Sequence, residues 1–291
     1  MEAERSRHAG GVLALSALIN ATREFPTLSQ VRAFWELAAS SFRRYLRYRT
    51  AIVATMITNC VFGLVRASLL MTAVDGAGGE IAGYDALRAS SYVWLGQCLV
   101  GVVSLWAAGE IAQRIKAGDV AVDLLRPLPP VLGWLAAEYG RAGSALLVRV
   151  LPMLALGALT TGLSLPIDPG LWLLGLVSLL LAVTIAFQGL LLVNLAALWV
   201  LEVRGYINLY VIVMNLFCGL IVPVSWFPDW LLAISLATPF PSMFQAPIDL
   251  AMGVGSAPAT LAIQLFWVLV LGGVAQLVLQ RGLTRVVIQG G

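Results

Sequence analysis

The chain has 291 residues, 60% of them hydrophobic and 11% charged, with a formal net charge of +3 and a mean hydropathy of +0.90. A soluble domain carries roughly a quarter charged residues, so this composition excludes a water-soluble globule and defines a polytopic membrane protein. The positive balance does not point to nucleic acid, because the basic residues are spread by topology rather than gathered on one face.

Residues 1–26 read as a disordered or weakly ordered extension. Its apolar stretch 10–21 is too short to span a bilayer and no small-residue cleavage site follows, so no cleavable signal peptide is expected. Residues 27–49 predict an amphipathic helix. Val31, Phe34, Trp35, Ala38, Phe42, Tyr45 and Leu46 recur at helical spacing, while Arg32, Arg43, Arg44 and Arg47 lie largely off that stripe. Thr27 followed by Gln30, with Pro26 before them, fits a capping box. The helix lies along the cytoplasmic leaflet or packs on the protein's own cytoplasmic side, and the two readings are compatible.

A span needs ~20 mainly apolar residues to cross ~30 Å of hydrocarbon. In the transmembrane domain, residues 50–291, six windows qualify: 51–73, 90–109, 144–165, 171–200, 206–225 and 258–279. Each must be helical, since lipid offers the backbone no hydrogen-bond partner. The fourth is too long for one straight crossing and tilts or extends towards Glu202 and Arg204. With the N-terminus inside, Arg88 is the one cation in an outer connection, and Asp75, Glu80, Asp85, Asp168, Asp229 and Asp249 are all outside. This asymmetry predicts cytoplasmic termini. Arg66 snorkels outward if the first span ends there, and Arg149, near the start of the third, snorkels inward. A single lysine against many arginines suggests a GC-rich bacterial genome, hence the bacterial cytoplasmic membrane.

Between the fifth and sixth spans, Pro228, Pro239, Pro241 and Pro247 divide an apolar segment into pieces too short to cross, with interface-loving Trp226, Phe227 and Trp230 at its start. Residues 226–253 predict a re-entrant hairpin of two short helices dipping into the outer leaflet, against a plain extracellular loop. Gly272-Gly273 permit close helix packing. Cys60, Cys98 and Cys218 sit in apolar stretches as inert thiols.

Several chemistries are excluded. The one lysine, Lys116, follows Arg114-Ile115, so no phosphate-binding Gly-x-x-x-x-Gly-Lys-Ser/Thr loop exists. The one histidine, His8, lies in the N-terminal tail, which removes Ser–His hydrolysis and His-rich metal sites. No window contains Asp or Glu, against a proton relay or an intramembrane aspartyl protease. The chain is therefore not expected to be an enzyme by itself, to hold a metal or to bind a cofactor. Asn59, Gln188, Asn194, Asn208 and Asn215 are neutral polar groups in the windows, lining a translocation path or joining helices.

Residues 110–143 are the long polar connection. The second span is expected to continue as a helix through Lys116 and to end at Gly118. Asp119 is a suitable N-cap for a short helix from Val120 to Leu125, Arg126 suits its C-terminal end, and Pro127, Pro129 and Pro130 stop it. Val120, Leu124 and Leu125 form an apolar face that could seat in a partner's groove, or the loop is a plain helical hairpin.

The segment Gly118-Asp119 with Asp123-Leu124-Leu125-Arg126-Pro127-Leu128 resembles the first cytoplasmic loop of ABC-2 type transporter permeases, in particular a bacterial subset long labelled as of unknown function. Phe227-Pro228-Asp229-Trp230-Leu231, Pro239-Phe240, Pro247 and Gly253 resemble that subset's outer hairpin, and Tyr48-Arg49 and Arg66 are similar too. The resemblance covers roughly residues 30–291. It implies an all-α fold like that of type V exporters: six transmembrane helices, an N-terminal connecting helix, a cytoplasmic coupling helix and an outer re-entrant hairpin. It further implies an exporter half, working beside a second permease, identical or paralogous, with two ATPase subunits that carry the ATP and Mg. Gly118, Asp119, Asp123, Leu124, Leu125, Arg126 and Pro127 would then couple to the ATPase, and Phe227, Pro228, Trp230, Pro239 and Phe240 would form an outer gate. The competing classes are an ATP-independent secondary carrier or channel, and a membrane-embedded scaffold.

Overall fold

The computed structural model describes residues 28–47, 49–103, 109–124, 128–200 and 202–289. The expected extension 1–26 lies outside them. In chain order the helices are α1 (Leu28–Leu46), α2 (Arg49–Gly76), α3 (Ala86–Leu99), α4 (Glu110–Lys116), α5 (Val120–Leu124), α6 (Pro130–Thr160), α7 (Pro169–Leu195), α8 (Arg204–Phe217), α9 (Asp229–Leu236), α10 (Phe240–Ala251) and α11 (Ala257–Gln289). Among the described residues the only β pairing is an isolated bridge between Ile81 and Tyr84.

Among the described residues, four helices are long and apolar enough to cross a bilayer: Ile52–Gly76, Pro130–Thr160, Pro169–Leu198 and Ala257–Gly282. The α9–α10 pair, bent by 99°, supplies up to a fifth crossing. The windows 90–109 and 206–225 do not hold continuous spans. Each contains a helix of 14 residues, ~21 Å long at 1.5 Å per residue, followed by non-helical backbone. The second span accordingly does not run on through Lys116: α3 stops at Leu99 and α4 starts afresh at Glu110. The third crossing helix begins earlier than hydropathy suggests, because Pro130 at the start of α6 opens a helix that carries Glu138 and Arg141 in its first half. A carboxylate therefore does lie on a crossing helix.

The bundle is built around α7, which packs against α10, α11, α4, α6 and α8. Gly175 brings α7 up against the backbone of Ala251 in α10. A fully buried polar knot joins three helices: Ser178 Oγ donates to Gln264 Oε1 at 2.8 Å, and Gln264 Nε2 donates to the carbonyls of Ser178 and Ser242 at 3.1 and 2.9 Å. The side-chain donors of this knot are thereby satisfied within the protein. The hairpin is more deeply built in than a surface cap, since α10 buries Ser242 through Ile248.

Trp94 on α3 fills the space between α2 and α6. Its ring lies against Gly63 on one side and Gly157 on the other, and its Nε1 donates to Thr161 Oγ1 at 2.8 Å. A Cβ at Gly63 or Gly157 would come within 3.0 Å of the indole, so only glycine admits the ring there.

Helix α1 packs along α6. Ala38 and Ser41 are buried at the crossing, Ser41 Oγ donates to the Ala137 carbonyl at 2.7 Å, and Gly140 lets the Ala38 carbonyl approach. Leu28, Val31 and Trp35 stay exposed on α1. The helix thus rests on its own chain and leaves these apolar side chains uncovered.

Gly140→Ala is expected to lower stability by ~1–3 kcal/mol, the usual cost of overpacking, because the Ala38 backbone carbonyl occupies the space of the new methyl. Gly143→Ala meets Phe42 at an ordinary 3.6 Å and should be neutral or slightly stabilising. Thermal unfolding of the purified protein in detergent compares the two.

Candidate functional site

Helix α2 touches the rest of the bundle mainly through α3 and α6. Between these helices, α7 and the inner face of α1 and α4 lies a cavity of 1330 Å³. It runs from Arg44 and Glu110, at the end of the bundle that carries α1, α4 and α5, to Arg66 and Ile221 deeper inside.

The floor of the cavity is made where α3 breaks. Gly101 and Val102 follow the helix end, and their carbonyls take a partner from another helix. Arg141 of α6 supplies one: Nη1 donates to the Gly101 carbonyl at 2.6 Å and Nη2 to the Val102 carbonyl at 2.7 Å. A guanidinium at a helix C-terminus satisfies both the acceptors and the dipole. Glu138, one turn back on α6, holds the same guanidinium at 2.6 and 2.8 Å. Both side chains are largely buried, 18% and 13% exposed, so the pair is held by complementary hydrogen bonds on both sides.

The second helix break is treated alike. After Phe217 at the end of α8, Gly219 adopts φ +89° and its carbonyl accepts from Tyr92 Oη at 2.6 Å. Gln245 Oε1 accepts from the Val224 N–H at 2.5 Å, and Ser235 Oγ donates to the Phe217 carbonyl at 2.9 Å. Arg66 Nη2 reaches the Ile221 carbonyl at 3.3 Å.

Arg66 and Arg149 are therefore not snorkelling residues. α2 continues to Gly76 past Arg66, and α6 starts well before Arg149, so both guanidiniums sit within crossing helices and line the cavity. Arg149 lies flat against Gly101, where a side chain would displace it. Arg66 Nε, Arg149 Nη1 and Asn59 Nδ2 are buried without a hydrogen-bond partner.

Of the residues expected along a path, Asn59 and Asn194 line the cavity, and Gln188, Asn208 and Asn215 lie elsewhere. Asn194 also has a structural task. Its Oδ1 accepts from the Ala112 N–H at 3.0 Å and its Nδ2 donates to the Leu190 carbonyl at 2.8 Å, tying α4 to α7. Asn208 is exposed. In the hairpin, Phe240 stacks on Phe217 at 6.3 Å and meets Tyr210 at 5.9 Å. Trp230 is 66% exposed, Pro228 is exposed, and Phe227 and Pro239 are half-buried. Tyr84 Oη, beside the hairpin, hydrogen-bonds Asp249 at 3.2 Å. Burial, then the Asp249 carboxylate, drives the Tyr84 phenol above its ordinary pKa.

The polar connection carries a lever of two short helices. α4 ends in a Schellman turn: Gly118 has φ +78°, and the Asp119 N–H reaches back to the Arg114 carbonyl at 3.0 Å. The Asp119 carbonyl then accepts the N–H groups of Val122 and Asp123, opening α5. Asp123 is turned inward. Arg114 grips it with Nη2 at 2.8 and 2.9 Å, and Trp134 Nε1 of α6 donates to it at 3.1 Å. Val120, expected on the docking face, is 6% exposed and belongs to the protein's own packing; Val122, 57% exposed, takes the outward position. The expectation failed because α5 rests its Val120 side on the bundle. Gly118 and Asp119 are exposed at the tip. Leu124 ends α5, and Leu125, Arg126 and Pro127 lie outside the described residues. Lys116 reaches Glu202 at 4.0 Å. The Arg204 N–H, then the Lys116 charge, holds the exposed Glu202 carboxyl below its ordinary range.

The sequence reading missed Arg141, Glu138, Tyr92 and Gln245. The i,i+3 spacing of Glu138 and Arg141 within 130–160 was the available signal.

The geometry is that of an all-helical bundle with four apolar helices long enough to cross a bilayer among the described residues, a cavity between them and an exposed pair of short helices. Residues 61–290 match the ABC-2 family transporter protein family, and the chain belongs to it. No curated protein and no solved structure matches the chain. Members of this family are membrane components that normally work with an ABC ATPase and are generally not enzymes themselves.

Arg141→Ala is expected to cost on the order of 3 kcal/mol, because it removes a buried ion pair with Glu138 and the donors to the Gly101 and Val102 carbonyls. Glu138→Gln with Arg141 intact should cost less, since the guanidinium keeps its carbonyl partners. Unfolding midpoints of the two variants in detergent provide the comparison.

Proposed function

We propose that this chain is the permease subunit of an ATP-binding cassette exporter. It moves a substrate across the bacterial cytoplasmic membrane, with both termini in the cytoplasm, driven by two copies of a separate ATPase. ATP and Mg belong to that partner. A second permease, identical or paralogous, stands beside the open flank of α2, whose Val53, Ile57, Val61 and Leu69 are exposed. The short helices α3 and α8, each with the non-helical backbone that follows it, complete six crossings as broken spans.

The observation that carries this reading is the lever. Its tip at Gly118–Asp119 and Val122 is exposed, while its base is bolted to two walls of the cavity, to α6 through Asp123 and Trp134 and to α7 through Asn194. A push on the tip therefore shifts α6 and α7 relative to α2, which bears on the rest through α3 and α6. The cavity widens or narrows, and access alternates. In this scheme Gly118, Asp119, Leu124, Leu125, Arg126 and Pro127 form or flank the docking tip, and Asp123 stiffens it. Asn59 and Asn194 face the substrate path. Phe240, stacked on α8, closes the far end with Phe227, Pro228, Trp230 and Pro239.

The test uses the full chain co-expressed and purified with a candidate ABC ATPase partner. Val122→Glu combined with Leu124→Glu should reduce recovery of the complex and nucleotide-driven transport at least tenfold, the effect of losing a buried anchor, while leaving the unfolding temperature of the chain alone unchanged. An intact, active complex would refute the coupling assignment. Transport by the chain alone in proteoliposomes, without nucleotide, would favour the carrier reading.

A further inference from the structure

We infer that the outward face of α1 is a binding site for anionic phospholipid, with Arg43 and Arg47 receiving the headgroup phosphate. Such a site is independent of the permease reading.

At 3.6 residues per turn, α1 divides into sectors. Ala38 and Ser41 are buried against α6, and Phe34 meets Tyr139 of α6 at 6.2 Å. The opposite face carries Arg32, Glu36 and Arg43, all exposed, and the exposed Arg47 continues it. Along one edge between these faces run Leu28, Val31 and Trp35, also exposed. Along the other edge, Leu37 and Arg44 line the cavity. Water on the outer side would leave that apolar edge, with a tryptophan 65% exposed, uncovered at a cost. At a bilayer interface the same edge sinks to the acyl boundary, and the neighbouring cations stay among the headgroups.

The position along the chain fits that depth. α1 ends at Leu46, α2 starts at Arg49, and the stretch able to cross the bilayer starts at Ile52. Arg43 and Arg47 therefore stand just before the chain enters hydrocarbon, at the level of the phosphates.

Their charge is also uncompensated. Glu36 is the one carboxylate on α1, and it pairs with Arg32 at 2.8 Å. Arg43 and Arg47 have no carboxylate partner among the described residues. Arg43 lies in the last turn of α1, and the Arg47 N–H closes that turn on the Arg44 carbonyl at 3.3 Å. Neighbours four apart on a helix have Cβ atoms ~5–6 Å apart. Two exposed guanidiniums at that spacing can close on one phosphodiester, each offering a planar fork.

The experiment uses the purified full-length chain in neutral detergent. Dioleoylphosphatidylglycerol is the anionic probe and dioleoylphosphatidylcholine the zwitterionic one. Glycerol 1-phosphate represents the head without tails, and polyglutamate an acidic protein surface. Native mass spectrometry measures retained lipid, and a photoactivatable phosphatidylglycerol reports where it sits. The parent should prefer phosphatidylglycerol at least tenfold, and crosslinks should fall within residues 28–47. Arg43→Gln combined with Arg47→Gln should weaken phosphatidylglycerol binding about twentyfold, roughly fivefold for each cation removed from an anionic surface. Those crosslinks should vanish, while the unfolding temperature in neutral detergent stays unchanged. Arg43→Lys combined with Arg47→Lys keeps both charges and should bind within about fivefold of the parent. Arg88→Gln, at an exposed arginine bonded to the Gly83 carbonyl, should bind as the parent does.

Equal retention of the two lipids, or unchanged binding in the glutamine variant, overturns the proposal. Parent crosslinks that avoid residues 28–47 overturn it whether or not the glutamine variant folds. Glycerol 1-phosphate binding as tightly as phosphatidylglycerol leaves a soluble anion as the ligand, and polyglutamate doing so leaves an acidic protein; either result overturns the lipid. No ATPase is present in these measurements, so their outcome stands apart from that of the coupling test.

Discussion

A carbonyl within a bilayer must find a donor inside the protein, and in the turn that follows α3 that donor is Arg141. Its guanidinium closes the end of α3 by taking the Gly101 and Val102 carbonyls, while Glu138 keeps it charged and in place. Without that bracket the chain at 100–103 would have to continue as helix or leave the hydrocarbon. A continuous helix there would bring side chains into the space where Arg149 lies against Gly101.

The same economy governs the other break. Tyr92, Gln245 and Arg66 come from three separate elements and converge on residues 219–224. Two short helices and two satisfied breaks give the molecule bends at depth, and the long helices α6, α7 and α11 frame them. The lever at α4–α5 is anchored to the wall beside the first break, so the rigid and the interrupted parts of the fold meet at one place.

Much of this was legible in the residues. Composition alone set the membrane class, because 11% charge cannot clothe a soluble surface. Local punctuation was also legible, since Gly118 ends α4 and Pro239 stands at the α9–α10 bend, whereas Pro130, read as a stop for the short helix, in fact opens α6. Windows 90–109 and 206–225 misled because hydropathy counts apolar side chains and is blind to where backbone hydrogen bonds go. The partners that permit these breaks lie about 40 residues away for Arg141 and 127 for Tyr92, beyond the reach of local periodicity. The inward turn of Val120 was invisible for the same reason, since a five-residue helix has too little pattern to say which side faces its own bundle.

Trp94 sits at the crossing of three helices, with Gly63 of α2 and Gly157 of α6 as its two plates. Both glycines offer the indole a fitted seat and Thr161 holds its nitrogen, so at this level α2 and α6 stand one ring apart. A larger side chain at either glycine would have to part the two helices.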